Sequence, residues 1–425
     1  MSTRKISLIV LGAGGRGTIY ADLVKLMPEK AEVVAVAEPR PFPRKRLAEN
    51  HAIPAENVFS DWHEVLKRPK FADAVIIATQ DRMHVEPAVA FAGKGYHILV
   101  EKPLATTPAD CRRIVDAVER NGVQLSVCHV LRYADYTRML RELIVSGAAG
   151  KIISVEHMEP VGHWRYAHAF VRGNWRKEAD SSPVLLAKSI HDLDWISYIV
   201  GDRCRAVSSF GSLMFFRKEN RPEKAADRCL ECPLEPQCPY SAPRFYLERF
   251  REGKIDNYLE PLADRLSEEN ILKALREGPY GRCVFACDND VADHQVVNLE
   301  FENGATAVFT LAGCSRYGER RTVIFGSRGE IRCDGSKIEL YSYLDGRITE
   351  IDITPDTGSL VSHHNGGDKR CLESFVDALR TGDSSRIVTG AEISLETHYM
   401  VFAAELSRRE KRTVRLSEFH SGKDS

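Results

Sequence analysis

The sequence predicts an α/β protein with an N-terminal Rossmann domain, followed by an α+β domain built on an open, mainly antiparallel sheet. Over the first 130 residues, short continuous apolar runs alternate with helical segments, which is typical of a parallel sheet covered on both faces. Beyond them, strand-like runs are joined by Glu-Asn-Gly, Ser-Arg-Gly and Asp-Gly turns, which indicate antiparallel hairpins. A length of 425 residues exceeds one ordinary core and favours two domains.

The predicted domains are residues 1–130, which bind the nucleotide, and residues 131–425, which carry the substrate and oligomer contacts. Rossmann strands are expected at 5–12, 31–38, 73–79, 96–101 and 123–130, with helices after Gly17 and over 85–95 and 108–122. Second-domain strands are expected at 152–161, 206–216, 294–313, 321–333 and 338–353, and helices at 185–201, 367–381 and 390–409. A charged, cysteine-rich insertion at about 217–290 interrupts the second sheet.

The charge balance argues against polyanionic partners. With 59 basic and 60 acidic residues the net charge is −1, which gives no reason to expect nucleic acid or an anionic membrane. No apolar run is long enough to span a bilayer, and the first apolar run leads into a glycine-rich turn without a signal-peptide cleavage site. We therefore expect a cytoplasmic protein.

The first strand is followed by the motif Gly12-Ala13-Gly14-Gly15-Arg16-Gly17. Between a strand and a helix, this G-x-G-x-x-G pattern predicts a dinucleotide site. Gly12 allows the tight turn, Gly14 the approach of pyrophosphate, and Gly17 the packing of helix on strand. Gly15 and Arg16 belong to the same expected cofactor-binding turn, whose phosphates face the helix N-terminus.

Glu38 ends the second strand, where an acid binds the ribose hydroxyls of NAD and repels a 2′-phosphate. The following loop carries Arg40 and Arg44, and either could hold that phosphate. We predict NAD as the cofactor on the strength of Glu38, with Arg40 in the cofactor site. NADP remains the alternative.

The strand at 96–101 runs straight into Glu101-Lys102-Pro103. The carboxyl ends of parallel strands open onto the ligand crevice, so these side chains are expected beside the nicotinamide end of the cofactor. Glu101 would bind the nicotinamide ribose. Lys102 would lie at the reacting carbon, where a desolvated amine suits proton transfer.

These motifs together resemble the Gfo/Idh/MocA family (glucose–fructose oxidoreductase, inositol dehydrogenase, rhizopine catabolism) over nearly the whole chain. The resemblance rests on "EKPLATT", the glycine motif, "DAVIIAT" with His84 after it, and "SIHDLD". It implies NAD(P)-dependent redox chemistry on sugars, cyclitols and related polyols, with Lys102 as a catalytic or substrate-binding lysine and His191 beside it. It also implies a homodimer or homotetramer formed through the open sheet. Thr79, His84 and His129 complete the expected cofactor contacts.

The segment 185–201 is predicted to be a helix with Lys188 and His191 on neighbouring turns. The family resemblance implies an Asp-x-x-x-His motif in this segment. The position of that Asp is occupied by Ala187 in this chain. The predicted catalytic set is therefore Lys102, His191 and Lys188, and the identity of the base stays open among them.

The segment 162–182 has little periodicity and is dense in His, Trp, Arg and Tyr. Such a loop suits a sugar site, with aromatic faces for C–H groups and charged heads for hydroxyls or an acidic substituent. A solvated loop with its tryptophans packed on the core is the equally weighted alternative. The predicted substrate residues are His163, Arg165, Arg172, Trp175, Lys188 and His191.

The chain has eleven cysteines, an odd number that argues against a disulfide framework in a reducing compartment. Cys229-x-x-Cys232 is followed closely by Cys238, and Cys283 and Cys287 come later. This spacing predicts a structural zinc site, because tetrahedral zinc takes four thiolates. The expected ligands are Cys229, Cys232, Cys238 and Cys283, with Cys287 as the alternative fourth; an iron–sulfur centre and free thiols remain open.

Three kinds of function fit the sequence. The leading hypothesis is an NAD(P)-dependent dehydrogenase that moves hydride from a sugar or cyclitol CH–OH group to nicotinamide. The second is an NAD-dependent glycosidase that oxidises C3 transiently and eliminates the aglycone. The third is a non-enzymatic nucleotide sensor, which the intact Glu-Lys-Pro motif and His191 disfavour.

Overall fold

The computed structural model describes residues 4–254, 258–316, 318–353 and 363–420. Within them the chain forms two sheets, one of six strands and one of nine. The predicted fold class is confirmed. The first sheet is parallel and the second is mainly antiparallel. The predicted division near residue 130 stays a prediction; the two sheets lie on either side of it.

The N-terminal sheet has six parallel strands in the order β3-β2-β1-β4-β5-β6. Its strands are β1 (Ile6–Leu11), β2 (Ala31–Ala37), β3 (Val58–Phe59), β4 (Ala74–Ile77), β5 (His97–Val100) and β6 (Leu125–Val127). The helices between them are α1 (Gly15–Val24), α2 (Pro41–Asn50), α3 (Trp62–Leu66), α4 (Val85–Gly93) and α5 (Pro108–Arg120). The central strands are buried on both faces because helices cover each side, as the continuous apolar runs predict. The two-residue strand β3 is too short to give a sequence signal.

The C-terminal sheet has nine strands in the order β14-β13-β12-β11-β7-β10-β9-β8-β15. They are β7 (Ile152–Pro160), β8 (Cys204–Ser212), β9 (His294–Phe301), β10 (Thr306–Ala312), β11 (Arg321–Gly326), β12 (Gly329–Cys333), β13 (Lys337–Ser342), β14 (Ile348–Asp352) and β15 (Val414–Arg415). Only β7 and β10 pair in parallel. One face is buried and the other is open, which explains the alternating burial of β9 and β10.

Helices of the second domain cover the closed face and reach back to the first sheet. They are α6 (Asp135–Val145), α7 (His163–Tyr166), α8 (Val184–Ala187), α9 (Ile190–Val200), α10 (Ala242–Arg251), α11 (Glu268–Glu277), α12 (Gly367–Thr381), α13 (Ala391–Glu410) and α14 (Ser417–His420). The single helix predicted at 185–201 is two helices. The break falls at Lys188 and Ser189, whose side chains turn to Glu159 of β7.

Buried polar contacts join the first domain to the helices of the second. Arg132, just after β6, makes two hydrogen bonds of 2.7 Å to Asp194 of α9. Asp194 is fully buried and also accepts the hydroxyl of Thr397 on α13 at 2.9 Å. Apolar residues of α12 and α13 complete the cores on the two faces of the parallel sheet. The segment that follows β6 is thereby held against α9 and α13.

We expect Asp194→Ala to lower the free energy of unfolding by about 3 to 5 kcal/mol, because it leaves the buried Arg132 guanidinium without its counter-charge. Urea unfolding followed by circular dichroism measures this loss. The matched control is Asp116→Ala, whose partner Arg112 is 3.9 Å away on the exposed face of α5; it should change stability by less than about 0.5 kcal/mol. Equal losses in both variants would contradict the structural role of the buried pair.

Candidate active site

Two positions of the turn after β1 require glycine for steric reasons. Gly12 has φ +91°, and a Cβ there would lie 2.7 Å from the Ala78 carbonyl oxygen. A Cβ on Gly17 would lie 1.9 Å from the Gly12 carbonyl oxygen. Gly14 precedes α1 and gives the helix no side-chain cap. A Cβ on Gly14 would lie 3.6 Å from Arg40 Nη2. The first N–H groups of α1, at Gly15 and beyond, are therefore open to an anionic ligand.

Glu38 lies directly after β2 and is buried. Its Oε2 accepts the N–H of Ala13 at 2.8 Å, and its two oxygens receive Arg40 Nε and Nη2 at 2.8 and 3.0 Å. Burial works against the charged carboxylate, but these hydrogen bonds from Arg40 and Ala13 hold the pKa of Glu38 below its usual value. Arg44 Nη1 is occupied by the Glu38 and Pro39 carbonyl oxygens. Each arginine thus has part of its guanidinium bound to oxygens of the same loop.

Glu101 and Arg16 bind each other and reach the second domain. Arg16 Nε donates to Glu101 Oε1 at 2.6 Å, and its Nη2 donates to Asp368 Oδ1 of α12 at 2.6 Å. Asp368 in turn pairs with His364 Nδ1 at 3.0 Å. The pKa of Glu101 is lowered: burial opposes ionisation, and the charges of Arg16 and Lys102 outweigh it.

His84 ties two loops together. Its Nδ1 and Nε2 lie 2.7 and 3.2 Å from the carbonyl oxygens of Pro103 and Thr79. The Thr79 hydroxyl donates to the Met83 carbonyl oxygen at 3.3 Å. The buried ring of His84 therefore links the loops after β4 and β5, and its predicted contact with the cofactor stays a prediction.

Lys102 leaves the end of β5 ahead of a cis peptide bond to Pro103. Its Nζ donates to the backbone carbonyl oxygen of Ala187 at the end of α8. Burial lowers the pKa of Lys102; Glu101 and Asp81 oppose that effect, while Arg16 and Arg165 reinforce it. The amine is desolvated and has no carboxylate hydrogen-bonded to it within the described residues, which suits a group that exchanges a proton.

Neutral histidines surround this amine. The ring centroids of His129 and His191 are 6.4 Å apart, and those of His191 and His364 are 5.7 Å apart. Burial lowers the pKa of His129, and burial with the charge of Lys102 lowers the pKa of His191 well below its usual value. Within the described residues, His191 Nδ1 and both ring nitrogens of His129 have no hydrogen-bond partner. Buried polar nitrogens are normally satisfied, so these are free to meet a ligand.

Lys188 is bound to an acid that the sequence analysis did not select. Its Nζ donates to Glu159 Oε1, and Glu159 also accepts Ser189 Oγ at 2.8 Å and Arg320 Nη2 at 2.9 Å. Burial lowers the pKa of Lys188 to about 8; Glu159 opposes this, and the charges of Arg165 and Arg320 add to it. Burial thus outweighs the stabilisation that the carboxylate gives the charged amine.

Asp192 anchors the same network from α9. It accepts His157 Nε2 at 3.0 Å and two nitrogens of Arg320. Burial opposes its ionisation, but Arg320 and His157 lower its pKa far below the usual value. Val155, His157 and Glu159 occupy every second position of β7 and share its buried face. Polar residues at every second position of an otherwise apolar strand could have marked His157 and Glu159 as site residues in the sequence. Arg320 and His364 follow no such pattern.

The loop 162–182 divides between the site and the insertion. Arg165 on α7 is exposed and its charge acts on both Lys102 and Lys188. Trp175 Nε1 donates to Asp81 Oδ1 at 3.3 Å, and the ring packs on the core of the second domain. His163 lines a surface cavity of about 380 Å³ next to α10. The predicted substrate residues therefore do not form one group.

Arg172 contacts the cysteine region. It is 1% exposed, and its Nε and Nη2 donate to the carbonyl oxygens of Arg282 and Tyr240 at 2.8 Å each. Nη2 also lies 3.5 Å from Cys229 Sγ. The guanidinium is thus held by the insertion, and the substrate role predicted for Arg172 stays a prediction.

The cysteine-bearing segments meet around Arg172. Cys283 N–H donates to the Asp227 carbonyl oxygen at 2.8 Å, and Tyr240 N–H donates to Cys238 Sγ at 3.3 Å. Cys229, Cys232, Cys238, Cys283 and Cys287 are free thiols. In the part of the chain that the structure describes, no group of three or more His, Cys, Asp or Glu side chains converges closely enough to hold a metal ion. The geometry thus does not support the predicted zinc.

Comparison with known proteins defines the class of this one. Residues 6–129 match the oxidoreductase family, NAD-binding Rossmann fold (GFO_IDH_MocA), and residues 141–416 match its C-terminal alpha/beta domain. The chain belongs to this family, as the motifs predict, and is an NAD-binding oxidoreductase. Among the described residues, no helix combines the length and apolar character needed to cross a membrane.

Particular relatives cover the whole chain or half of it. The chain is 25% identical to YteT of Bacillus subtilis (strain 168), named as an oxidoreductase, over 92% of this chain and 90% of that one. It is 23% identical to myo-inositol 2-dehydrogenase of Thermotoga maritima over 96% and 98%. It is 28% identical to 2,7-anhydro-N-acetylneuraminate hydratase of Escherichia coli (strain K12) over 48% and 53%. An Agrobacterium radiobacter oxidoreductase, solved with NAD+, L-tartaric acid and magnesium, shares the fold, with TM-score 0.71 and 17% identity over 98% and 99% of the two chains.

Glu159→Gln is expected to lower the pKa of Lys188 below about 8. The substitution removes the carboxylate that stabilises the charged amine, while burial and the charges of Arg165 and Arg320 remain; the shift should be about one pH unit. A ¹³C NMR titration of reductively methylated lysines measures it, and Lys188→Met identifies the resonance. Glu156→Gln, on the exposed face of β7, is the control and should leave the titration in place. A higher pKa in Glu159→Gln would contradict the assigned pairing.

Proposed function

We propose that the protein oxidises a CH–OH group of a sugar, sugar derivative or cyclitol in an NAD-dependent dehydrogenase reaction. The observation that carries the proposal is the buried Lys102 amine, which has a lowered pKa and lies among neutral histidines at the carboxyl end of the parallel sheet. Bound NAD would supply the hydride acceptor. A full-length relative named myo-inositol 2-dehydrogenase supports the substrate class.

In this proposal Lys102 takes the proton from the substrate hydroxyl as the carbon loses hydride. Its lowered pKa favours the neutral amine, and a base acts best when its pKa is near the working pH. The unpartnered nitrogens of His191 and His129 hold the substrate hydroxyls and relay the proton. The carbonyl oxygen of Ala187 orients the amine. This is the position at which the family resemblance leads us to expect an acid.

The residues of the glycine turn, with Glu38 and Glu101, would hold the dinucleotide. Arg40 neutralises Glu38 in the ion pair described above, and both arginines of that loop are in use. This pairing supports NAD over NADP, since the hydrogen bonds would have to break to release a phosphate-binding guanidinium. Arg16 would fix Glu101 for the nicotinamide ribose through its bond to Asp368.

A second candidate is transient oxidation followed by elimination, the alternative glycosidase reaction. It needs a base at a C–H bond besides the base at the hydroxyl. Lys188, with a pKa of about 8, offers one near Lys102. The half-length relative named 2,7-anhydro-N-acetylneuraminate hydratase favours this candidate.

We also propose an oligomeric state and a cellular location. We infer a cytoplasmic homodimer or homotetramer that acts on small molecules, with neither nucleic acid nor membrane as partner. The exposed side chains of Ile153 on β7 and Phe210 on β8, two strands of the second sheet, support association through that sheet.

The proposal extends to a structural zinc held by Cys229, Cys232, Cys238 and Cys283, with Cys287 as the alternative fourth ligand. Its support is a set of guanidinium nitrogens without hydrogen-bond partners on arginines next to the cysteines. Arg172 Nη1 has no hydrogen-bond partner, nor do Arg228 Nε and Arg282 Nε and Nη2, within the described residues. Four thiolates around zinc carry a net charge of about −2, which these guanidinium groups would meet. Such a closed site would stabilise the insertion and take no part in hydride transfer.

Protein purified without chelators or a histidine tag is expected to contain about one zinc per chain, measured by plasma mass spectrometry. Cys232→Ser and Cys238→Ser should lose the metal, because four thiolates are needed. The control Cys314→Ser, at an exposed thiol, should keep it. Wild-type protein without bound metal would overturn the proposal, and stoichiometric iron with visible absorbance would replace zinc by an iron–sulfur centre.

The function is tested by adding NAD and a panel of free sugars, cyclitols and glycosides while following both NADH and released aglycone. We expect stoichiometric NADH from a free polyol or sugar. Lys102→Met should lower kcat/KM about 10²- to 10⁴-fold, the usual contribution of general base catalysis, with unchanged NAD affinity. The control is Lys273→Met on the exposed face of α11. Aglycone release that requires NAD without accumulating NADH would favour the elimination reaction instead.

A further inference from the structure

Asp81 is a buried carboxylate that is hydrogen-bonded by side chains of the second domain. It lies in the turn after β4 and is 6% exposed. Its Oδ2 accepts the hydroxyls of Ser181 and Ser182 at 3.2 and 2.9 Å, and its Oδ1 accepts Trp175 Nε1 at 3.3 Å. Taking a carboxylate out of water is costly, and three donors converge to compensate it. An asparagine would serve less well, because its NH2 group accepts no hydrogen bond.

The same turn holds the second-domain loop at another place. Arg82 Nε donates to the Ser181 carbonyl oxygen at 3.1 Å, and Nη2 donates to the Glu178 carbonyl oxygen at 3.2 Å. We call residues 175–183 the bridging segment. Two consecutive residues after β4 thus fasten the bridging segment to the first domain.

The bridging segment leads directly into α8. Pro183 has φ −53°, which its ring fixes, and its carbonyl oxygen accepts the Ala187 N–H at 2.9 Å. A helix of four residues has too few hydrogen bonds to be stable by itself, so the bonds at its ends determine where it lies. The start of α8 is held through Ser182 by Asp81, and its end by the bonds to Glu159 described above.

These contacts form a closed path that starts and ends at the parallel sheet. β4 and β5 are adjacent strands, and Ile77 at the end of β4 is paired with Val100 at the end of β5. Asp81 follows the first strand and Lys102 follows the second. From Asp81 the path runs through the bridging segment to α8, whose Ala187 carbonyl oxygen accepts Lys102 Nζ. Loops from two neighbouring strands therefore bind opposite ends of one helical turn.

We propose that Asp81 is a positioning residue for Lys102: it places α8 so that the Ala187 carbonyl oxygen directs the amine towards the reacting hydroxyl. The inference rests on the proposed function, which gives Lys102 its role as base. The charge of Asp81 also opposes the lowering of the Lys102 pKa, as expected of a carboxylate held at the end of the neighbouring strand. A displacement of about 1 Å at a catalytic group can cost about 100-fold in rate, so a contact that does not touch the substrate can control turnover.

Asp81→Asn and Ser182→Ala test the proposal in the full-length protein with NAD bound. Hydrogen exchange is followed by mass spectrometry over residues 186–189, whose N–H groups are bonded to carbonyl oxygens at the start of α8. It should become about 10-fold faster in both variants, the effect of losing a buried hydrogen bond to a charged group. Competitive labelling with trace acetic anhydride should acetylate Lys102 faster by a similar factor, because the amine reacts when α8 moves away from it.

Asp116→Asn and Ser146→Ala are the matched controls. Both side chains are exposed, on α5 and after α6, and both measurements should stay at their wild-type values. The double variant of Asp81→Asn with Ser182→Ala should show no larger effect than the stronger single change, because both remove the same contact. Circular dichroism verifies that each variant is folded.

In the NADH assay both variants should lower kcat about 10-fold and change KM by less than about twofold, since positioning acts on the reacting group and not on substrate affinity. Faster exchange confined to the bridging segment, with Lys102 labelled at the wild-type rate, would overturn the proposal and leave Asp81 as a support of the loop alone. Unchanged exchange in α8, or additive effects in the double variant, would also contradict it. Failure of the proposed function has a different signature: exchange and labelling respond as expected, but Lys102→Met keeps full turnover.

Discussion

The structure of the site depends on keeping an amine buried where two sheets meet. Removing a charged lysine from water is costly unless a partner compensates it or the amine gives up its proton. Lys102 receives only partial compensation, from the Ala187 carbonyl oxygen and from Glu101 beside it. The loop that carries it is held firmly: His84 contacts the Pro103 carbonyl oxygen at 2.7 Å, and His398 Nε2 accepts the Leu104 N–H at 2.7 Å. A buried amine at a fixed position is the result.

The same constraint explains why the neighbouring histidines are neutral. Burial and His129 lower the pKa of His398 to about 3, and burial with nearby positive charge lowers the pKa of His191. Each additional positive charge in this space would raise the energy of protonated Lys102. Two further cations, Lys188 and Arg320, are instead bound by the acids Glu159 and Asp192. The acid expected at position 187 has a counterpart in Glu159, which reaches the site from strand β7.

Sequence patterns predicted the elements that depend on local rules. The parallel strands, the glycine turn, Glu38 and the Glu101-Lys102-Pro103 motif follow from apolar runs and from where strands end. The break at Lys188 escaped prediction because tertiary bonds to Glu159 and Ala187 stop a segment that is periodic enough to be one helix. Arg320 and His364 come from loops far along the chain, and only the folded arrangement brings them to the site. The contacts of Arg172 with the insertion could not be predicted for the same reason, since an arginine in an aperiodic loop gives no sign of which side it faces.

The cysteine-rich insertion shapes the site through the loop that it supports. Trp164 stacks on Phe245 of α10 with ring centroids 4.3 Å apart, and His168 Nδ1 lies 2.8 Å from the Tyr246 hydroxyl. Arg172 ends the loop among the cysteine-bearing segments. The insertion therefore supports the segment that follows Gly162, whereas Lys102 is held by the end of the parallel sheet and by α8. A change in the insertion would act on the position of this segment, and a change in α8 would act on the position of the amine.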